Sequence, residues 1–115
     1  MANYCYAVPI LPGGESQMQK WDKENIVNNK EHDKVYRAAG ISREQVWVEH
    51  TPQGSLAVVS LEVKDAGSAL KALGSSTDPW AVKLREFLKT AHGLDFSKPA
   101  PLNEQVVDWH DPTQR

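Results

Sequence analysis

The sequence has little cysteine, little net charge and no long apolar run, and each shortage excludes a class of protein. Cys5 is the one cysteine among 115 residues, so an internal disulfide is excluded, as is typical of proteins of the reducing cytoplasm. The net charge is −2, and no basic cluster interleaved with aromatic residues occurs, so nucleic acid is not an expected partner. The apolar run at residues 4–11 is too short to cross a bilayer and follows no basic segment, so we expect neither a signal peptide nor a membrane partner. We therefore expect a cytoplasmic protein.

Metal and nucleotide motifs are also missing. The 4 histidines are dispersed and do not form an H-x-x-x-H pair, and a single cysteine gives no C-x-x-C, so no metal site is predicted. Gly13-Gly14 follows an expected strand but lacks the further glycine and the Lys-Ser/Thr of phosphate-binding loops. No cofactor is predicted from these patterns.

The hydrophobic periodicity predicts one α+β domain over residues 1–115, with element order β-α-β-β-α-β. The predicted elements are a strand at 4–10, a long helical run at 15–39, strands at 45–50 and 55–63, two short helices beginning at the caps Asp65 and Asp78, and a strand at 104–109, before a frayed tail at 110–115. This order favours a ferredoxin-like four-stranded antiparallel sheet with its helices on one face.

The turn Thr51-Pro52-Gln53-Gly54 is the clearest local signal, because proline presets φ and glycine accepts a positive φ. As a hairpin turn it sets His50 opposite Ser55, on the face that points towards the helices. The second strand of the hairpin is apolar on both faces at its start, which predicts a central strand. Since the helices cover one face only, we expect the other to be covered by a second copy, giving a homodimer.

The chain resembles the dimeric α/β-barrel superfamily, in which two ferredoxin-like subunits pack their sheets together. The resemblance rests on "AAGISREQVWVEH", "PQGSLAVVSLEV", "DPW" and "HGLDF", and it extends from residue 4 to about residue 109. Within that superfamily the chain is similar to small bacterial proteins of unassigned function. The superfamily includes cofactor-independent monooxygenases, haem-degrading and haem-dependent enzymes, lactone isomerases, dye-type peroxidases and ligand-sensing modules. The resemblance implies a pocket between the sheet and the helices, but no catalytic motif of a particular family is matched.

The leading candidate site lies on the long helical run, whose inward stripe is polar in its middle. Asn25, Asn28 and His32 interrupt apolar positions at helical spacing, and buried amides and imidazoles need polar partners. They are candidates for binding one ligand in a pocket beneath this helix. The alternatives are that they contact backbone, ordered water or a neighbouring subunit, or that they are exposed.

Further candidates are two tyrosines and two histidines. Tyr4 and Tyr6 share one strand face and either present their hydroxyls to a cavity or act as core or interface aromatics. His50 is either a site residue or an exposed residue beside the turn. His92 is either a pocket or haem ligand or a partner of free carbonyls at a helix end; no spacing supports haem. Cys5 has no basic neighbour and is expected to be an inert, buried thiol.

Two functional hypotheses follow. The first is a small-molecule-binding protein of the dimeric α/β-barrel type, acting as a cofactor-independent monooxygenase or isomerase, with a small apolar or aromatic ligand between the first helix and the sheet. The alternative is a non-catalytic dimeric module that senses a ligand or serves a structural role. The sequence leaves open whether the protein is an enzyme.

Overall fold

The structure is a computed structural model that describes residues 2–98 and 101–114. Over these residues the elements are β1 Ala2–Pro9, α1 Gly14–Asn25, α2 Lys30–Ala38, β2 Ile41–Thr51, β3 Gly54–Val63, α3 Ala66–Ser75 and α4 Pro79–His92. The α+β class is therefore confirmed. None of the described helices combines the length and apolar character that a membrane crossing requires.

The three strands form an antiparallel sheet in which β3 lies between β1 and β2. The central position of β3 agrees with its apolar character on both faces. His50 pairs with Ser55 and Thr51 with Gly54, so the turn chemistry predicted the hairpin register correctly.

The core fills the space between one face of the sheet and all four helices. Val59, Leu61 and Val63 alternate along β3 towards this face and belong to one buried cluster with residues from α1, α2, α3 and α4. The Trp80 indole nitrogen donates to the Asn25 carbonyl at 3.0 Å, which joins the start of α4 to the end of α1. The helices therefore lie on a single face, as predicted.

The other face of the sheet is open. The side chains of Leu56 and Val58 on β3 are only half-buried there, and Trp47 on β2 keeps 51% of its surface exposed. Cys5 points to the same side and is also exposed, so the prediction of a buried thiol was wrong. Strand alternation causes this, because it places Cys5 opposite to Tyr4 and Tyr6, which face the helices.

The long helical run is divided into α1 and α2, contrary to the single helix expected over residues 15–39. Asn28 has φ 53°, a left-handed conformation that asparagine tolerates better than most residues but that ends a right-handed helix. The Asn29 side chain then accepts hydrogen bonds from the amides of Glu31 and His32, which caps α2. Both later helices begin at the caps predicted for them, Asp65 and Asp78.

The strand predicted at residues 104–109 is not formed in the single chain. Val106, Val107 and Trp109 are 89%, 74% and 72% exposed. The preceding Asn103 is held at Cys5 by a bond of 2.9 Å from its side-chain amide to the Cys5 carbonyl. An antiparallel continuation from there would meet only Ala2–Tyr4 before β1 ends, and so short a pairing is marginal.

Candidate functional site

A cavity of about 670 Å³ lies between β1, α3 and the segment made up of residues 94–98 and 101–103. Tyr4, Tyr6 and Val8 form its floor because strand alternation directs all three to the helix side of the sheet. Leu70 of α3 and Phe96 of the segment contribute apolar walls. The cavity is therefore built on the predicted sheet face, but under α3 and not under the first helix.

Gly74 allows the segment to approach α3 closely. A Cβ atom at this position would lie 2.5 Å from the carbonyl oxygen of Phe96, which is closer than such atoms approach in proteins. The lack of a side chain at Gly74 thus permits the wall of the cavity to lie directly against the helix.

The far end of the segment is attached to β1. The backbone amide of Asn103 donates to the Tyr4 hydroxyl at 3.0 Å, and its side-chain amide donates to the Cys5 carbonyl at 2.9 Å. Tyr4 therefore uses its hydroxyl to hold the cavity wall in place.

The rim of the cavity is polar and charged. Asp95 accepts from the amide and hydroxyl of Ser97 at 3.1 and 2.6 Å, and Lys98 Nζ lies 3.9 Å from its carboxylate. The bonds from Ser97 lower the pKa of Asp95, so this carboxyl is ionised at neutral pH. Lys71 also lies at the rim. An apolar interior beneath a polar rim is the usual construction of a site for a small, largely apolar ligand.

A second polar group, the His32 cluster (His32, Tyr36 and Glu44), lies between α2 and β2. The Tyr36 hydroxyl donates to Glu44 Oε2 at 2.8 Å. His32 Nε2 is 3.8 Å from Glu44 Oε1, and both atoms are buried without a hydrogen-bond partner among the described residues. The side chains of His32 and Glu44 are each 13% exposed, and the imidazole packs against the rings of Tyr36 and Trp80.

Charge determines the protonation of this cluster. Burial acts to lower the pKa of His32, but the carboxylates of Glu44 and Asp33 outweigh it, and the net pKa is raised. Asp33 Oδ1 lies 2.9 Å from His32 Nδ1. Burial, followed by the Glu44 charge, raises the pKa of Tyr36 well above that of a free phenol, so its hydroxyl stays protonated. The imidazole therefore keeps its proton to a higher pH than a free histidine does.

Tyr6 lies between the cavity and the His32 cluster. It contributes to the cavity floor, and its pKa is raised first by burial and then by the charge of Glu44. Its phenol is therefore neutral and presents a ring, with a proton-bearing oxygen, to the interior.

The structure separates the three candidates of the first helical run. Asn25 is buried, and its side-chain oxygen accepts from Lys83 Nζ at 3.3 Å. Asn28 is exposed in the turn between α1 and α2. His32 joins Glu44 and Tyr36. None of the three lines the cavity, which lies under α3. The helix break at Asn28 also removes the common face that regular helical spacing would give them.

The remaining histidines are tied to structural positions. His92 is buried, and its Nδ1 donates to the Pro9 carbonyl at 2.8 Å, which fixes the end of α4 to the end of β1. His50 is exposed beside the hairpin turn, with Nδ1 3.1 Å from the Ser55 hydroxyl oxygen. Neither histidine lines the cavity.

Sequence reasoning missed Glu44 and the cavity wall. Glu44 and His50 are an even number of residues apart in β2, so their side chains point to the same face of the sheet. Because the turn places His50 on the helix side, the same alternation predicts that Glu44 also points towards the helices. The wall at residues 94–98 and 101–103 has no periodic sequence pattern that would predict its position.

No protein family, no curated protein and no solved structure matches this chain. Over the described residues, no group of three or more His, Cys, Asp or Glu side chains is arranged to hold a metal ion. The geometry defines the class: an α+β protein with a cavity between its sheet and one helix.

Proposed function

We propose that this protein binds a small apolar or aromatic molecule in the cavity between β1 and α3. The observation that carries the proposal is the cavity itself. Its volume of about 670 Å³ falls within the range of ligand sites in proteins. Its apolar floor and walls favour an uncharged ring or aliphatic body, and the polar rim favours a ligand with one polar end.

Binding without catalysis is the activity that we propose. General acid–base catalysis needs a group with a pKa near the working pH within reach of the ligand. His32 is engaged with Glu44 and Asp33, and His92 with the Pro9 carbonyl. The rim carboxylate of Asp95 is engaged by Ser97. These contacts support a ligand-sensing or carrier role over a monooxygenase or isomerase.

The same proposal includes a homodimer of the α/β-barrel type. The antiparallel order β1-β3-β2 supports a ferredoxin-like sheet to which residues 104–109 supply a fourth strand once the dimer forms. The open face carries Leu56, Val58 and the exposed Trp47, and a second copy packed on this face would remove them from water.

The binding proposal is tested with the neutral fluorescent probe N-phenyl-1-naphthylamine. We expect its fluorescence to rise on binding to the unaltered protein, because the probe leaves water for an apolar cavity. Gly67→Leu should weaken binding several-fold, since Gly67 lines the cavity. Gly67→Ala is the matched control, because its added Cβ meets its nearest neighbour at an ordinary 3.6 Å.

Equal binding by all three proteins would contradict the proposal, as would the absence of any fluorescence rise. Native mass spectrometry of the purified protein provides an independent test, because a bound molecule that is lost in Gly67→Leu would identify the natural ligand.

A further inference from the structure

Residues 104–109 have the pattern of a strand but no strand neighbour. Gln105, Val107 and Trp109 would fall on one face, and Glu104, Val106 and Asp108 on the other, so one face is mainly apolar and the other mainly polar, as in a half-buried strand. Yet Val106, Val107 and Trp109 are among the most exposed apolar side chains of the described chain. This segment, which we call the C-terminal arm, therefore leaves the body of the protein at Asn103.

The chain also carries an unpaired strand edge that fits the arm. β2 is hydrogen-bonded to β3 alone among the described residues. Because Thr51 and Gly54 close the hairpin, the antiparallel alternation turns the amides and carbonyls of Val46, Val48 and His50 outward. Val46, Trp47 and Val48 are 39%, 51% and 37% exposed. A long unpaired edge with apolar residues at its centre is a site at which another strand can add.

The arm cannot reach this edge within its own chain as the sheet is built. The arm begins beside β1, to which Asn103 is hydrogen-bonded, and β3 lies between β1 and β2. The arm can therefore reach such an edge only on a second copy, and packing two copies through their open faces offers one.

We propose that the C-terminal arm of each copy pairs with the outer edge of β2 in a second copy, so that the arm joins the two sheets. The exchange is reciprocal, as two-fold symmetry requires. It pairs backbone groups of both elements that are otherwise left to water, and it covers Val107 and Trp109 of one copy together with Val46 and Val48 of the other. It also attaches the cavity wall to the partner, because Leu102 and Asn103 line the cavity immediately before the arm.

This inference rests on the homodimer of the proposed function, and disulfide cross-linking tests it. In a Cys5→Ser background, one copy carries Val106→Cys or Val107→Cys on the arm, and a differently tagged copy carries Val46→Cys or Val48→Cys on the edge. After oxidation we expect a heterodimer linked by a disulfide for one of the two arm positions and not for both. Opposite cysteines face each other only on the same side of a sheet.

Val82→Cys is the matched control on the edge copy, because Val82 is 39% exposed on α4, away from both strands. It should give no heterodimer. The inference is overturned if neither arm position links to β2. It is equally overturned if an arm position links to Val82→Cys as readily, or if a chain carrying both cysteines links only within itself.

Light scattering on the unaltered protein distinguishes failure of the arm exchange from failure of the homodimer. A dimer without arm-to-edge disulfides would overturn the exchange and leave the homodimer intact. A monomer of 12.8 kDa would overturn both.

Discussion

Two glycines of α3 differ in the space available for an added Cβ atom, and this difference should determine the effect of substituting each by alanine. We predict that Gly74→Ala destabilises the protein by about 1–3 kcal/mol, because the new Cβ would displace the Phe96 carbonyl, from which it would lie 2.5 Å away. Gly67→Ala lies in the same helix with room for its Cβ, and it should stabilise by about 0.4–1 kcal/mol. Urea denaturation followed by circular dichroism measures both. Equal effects of the two substitutions would show that the close approach at Gly74 has no energetic weight.

The His32 cluster predicts a pH dependence of stability. The folded-state pKa of His32 is raised above its unfolded value, near 6.5. Its contribution to stability is therefore fully present below about pH 6.5 and is lost as the pH rises through the folded pKa. We expect the free energy of unfolding to fall as the pH rises above about 6.5, and Glu44→Gln to flatten much of this fall. Denaturant titrations at several pH values measure the difference.

The pKa of His32 can also be followed directly by NMR. Glu44→Gln should lower it, since a carboxylate 3.8 Å from Nε2 becomes neutral. Asp33→Asn is the comparison. It should lower the pKa of His32 less, because the Asp33 side chain is 53% exposed and its charge is screened by water. An unchanged His32 pKa in Glu44→Gln would show that Glu44 does not hold the proton on the imidazole.

At the scale of single residues, the sequence predicts which side chains are unusual better than it predicts their partners. Asn25 and His32 were identified as polar groups on a buried face, and both are at least partly buried. Their partners, Lys83 and Glu44, lie on elements far along the chain. Helical spacing contains no information on such long-range contacts.

The break between α1 and α2 is governed by two adjacent asparagines with different roles. Asn29 caps α2 by accepting from two amides, so Asn29→Ala should destabilise the protein by about 0.5–2 kcal/mol. Asn28 holds a positive φ of 53°, so Asn28→Gly should be neutral or slightly stabilising because glycine adopts this conformation without strain. Thermal unfolding compares the two. A loss in Asn28→Gly as large as that in Asn29→Ala would contradict this division of roles.

At the scale of elements, local chemistry predicted what is locally determined. The hairpin register follows from Thr51-Pro52-Gln53-Gly54, and the starts of α3 and α4 follow from Asp65 and Asp78. The division of the long helix depends on a single left-handed residue, which periodicity does not reveal. Residues 104–109 have the pattern of a strand but pair with no described strand of the single chain, and the sequence pattern alone does not show whether a neighbouring strand is present.

At the scale of the whole molecule, the uncovered sheet face is the feature that most requires a partner. The sheet itself separates these apolar side chains from the core, so no rearrangement of α1 to α4 on the other face would bury them. Since hydrophobic burial is the main contribution to association, self-association through this face is the simplest arrangement that removes them from water.

We therefore predict that light scattering gives about twice the mass of one 12.8 kDa chain at micromolar concentration. Trp47→Glu should shift the protein towards the monomer, because it places a charge in the centre of the interface, where an unpaired carboxylate is costly. Val82→Glu is the control: Val82 is also partly exposed but lies on α4, on the opposite side of the molecule from the open face, and it should leave the mass unchanged. Both variants should keep the circular dichroism of the unaltered protein, since neither side chain belongs to the buried core. If Val82→Glu dissociates the dimer and Trp47→Glu does not, the interface lies on the helices, and the open sheet face has another partner.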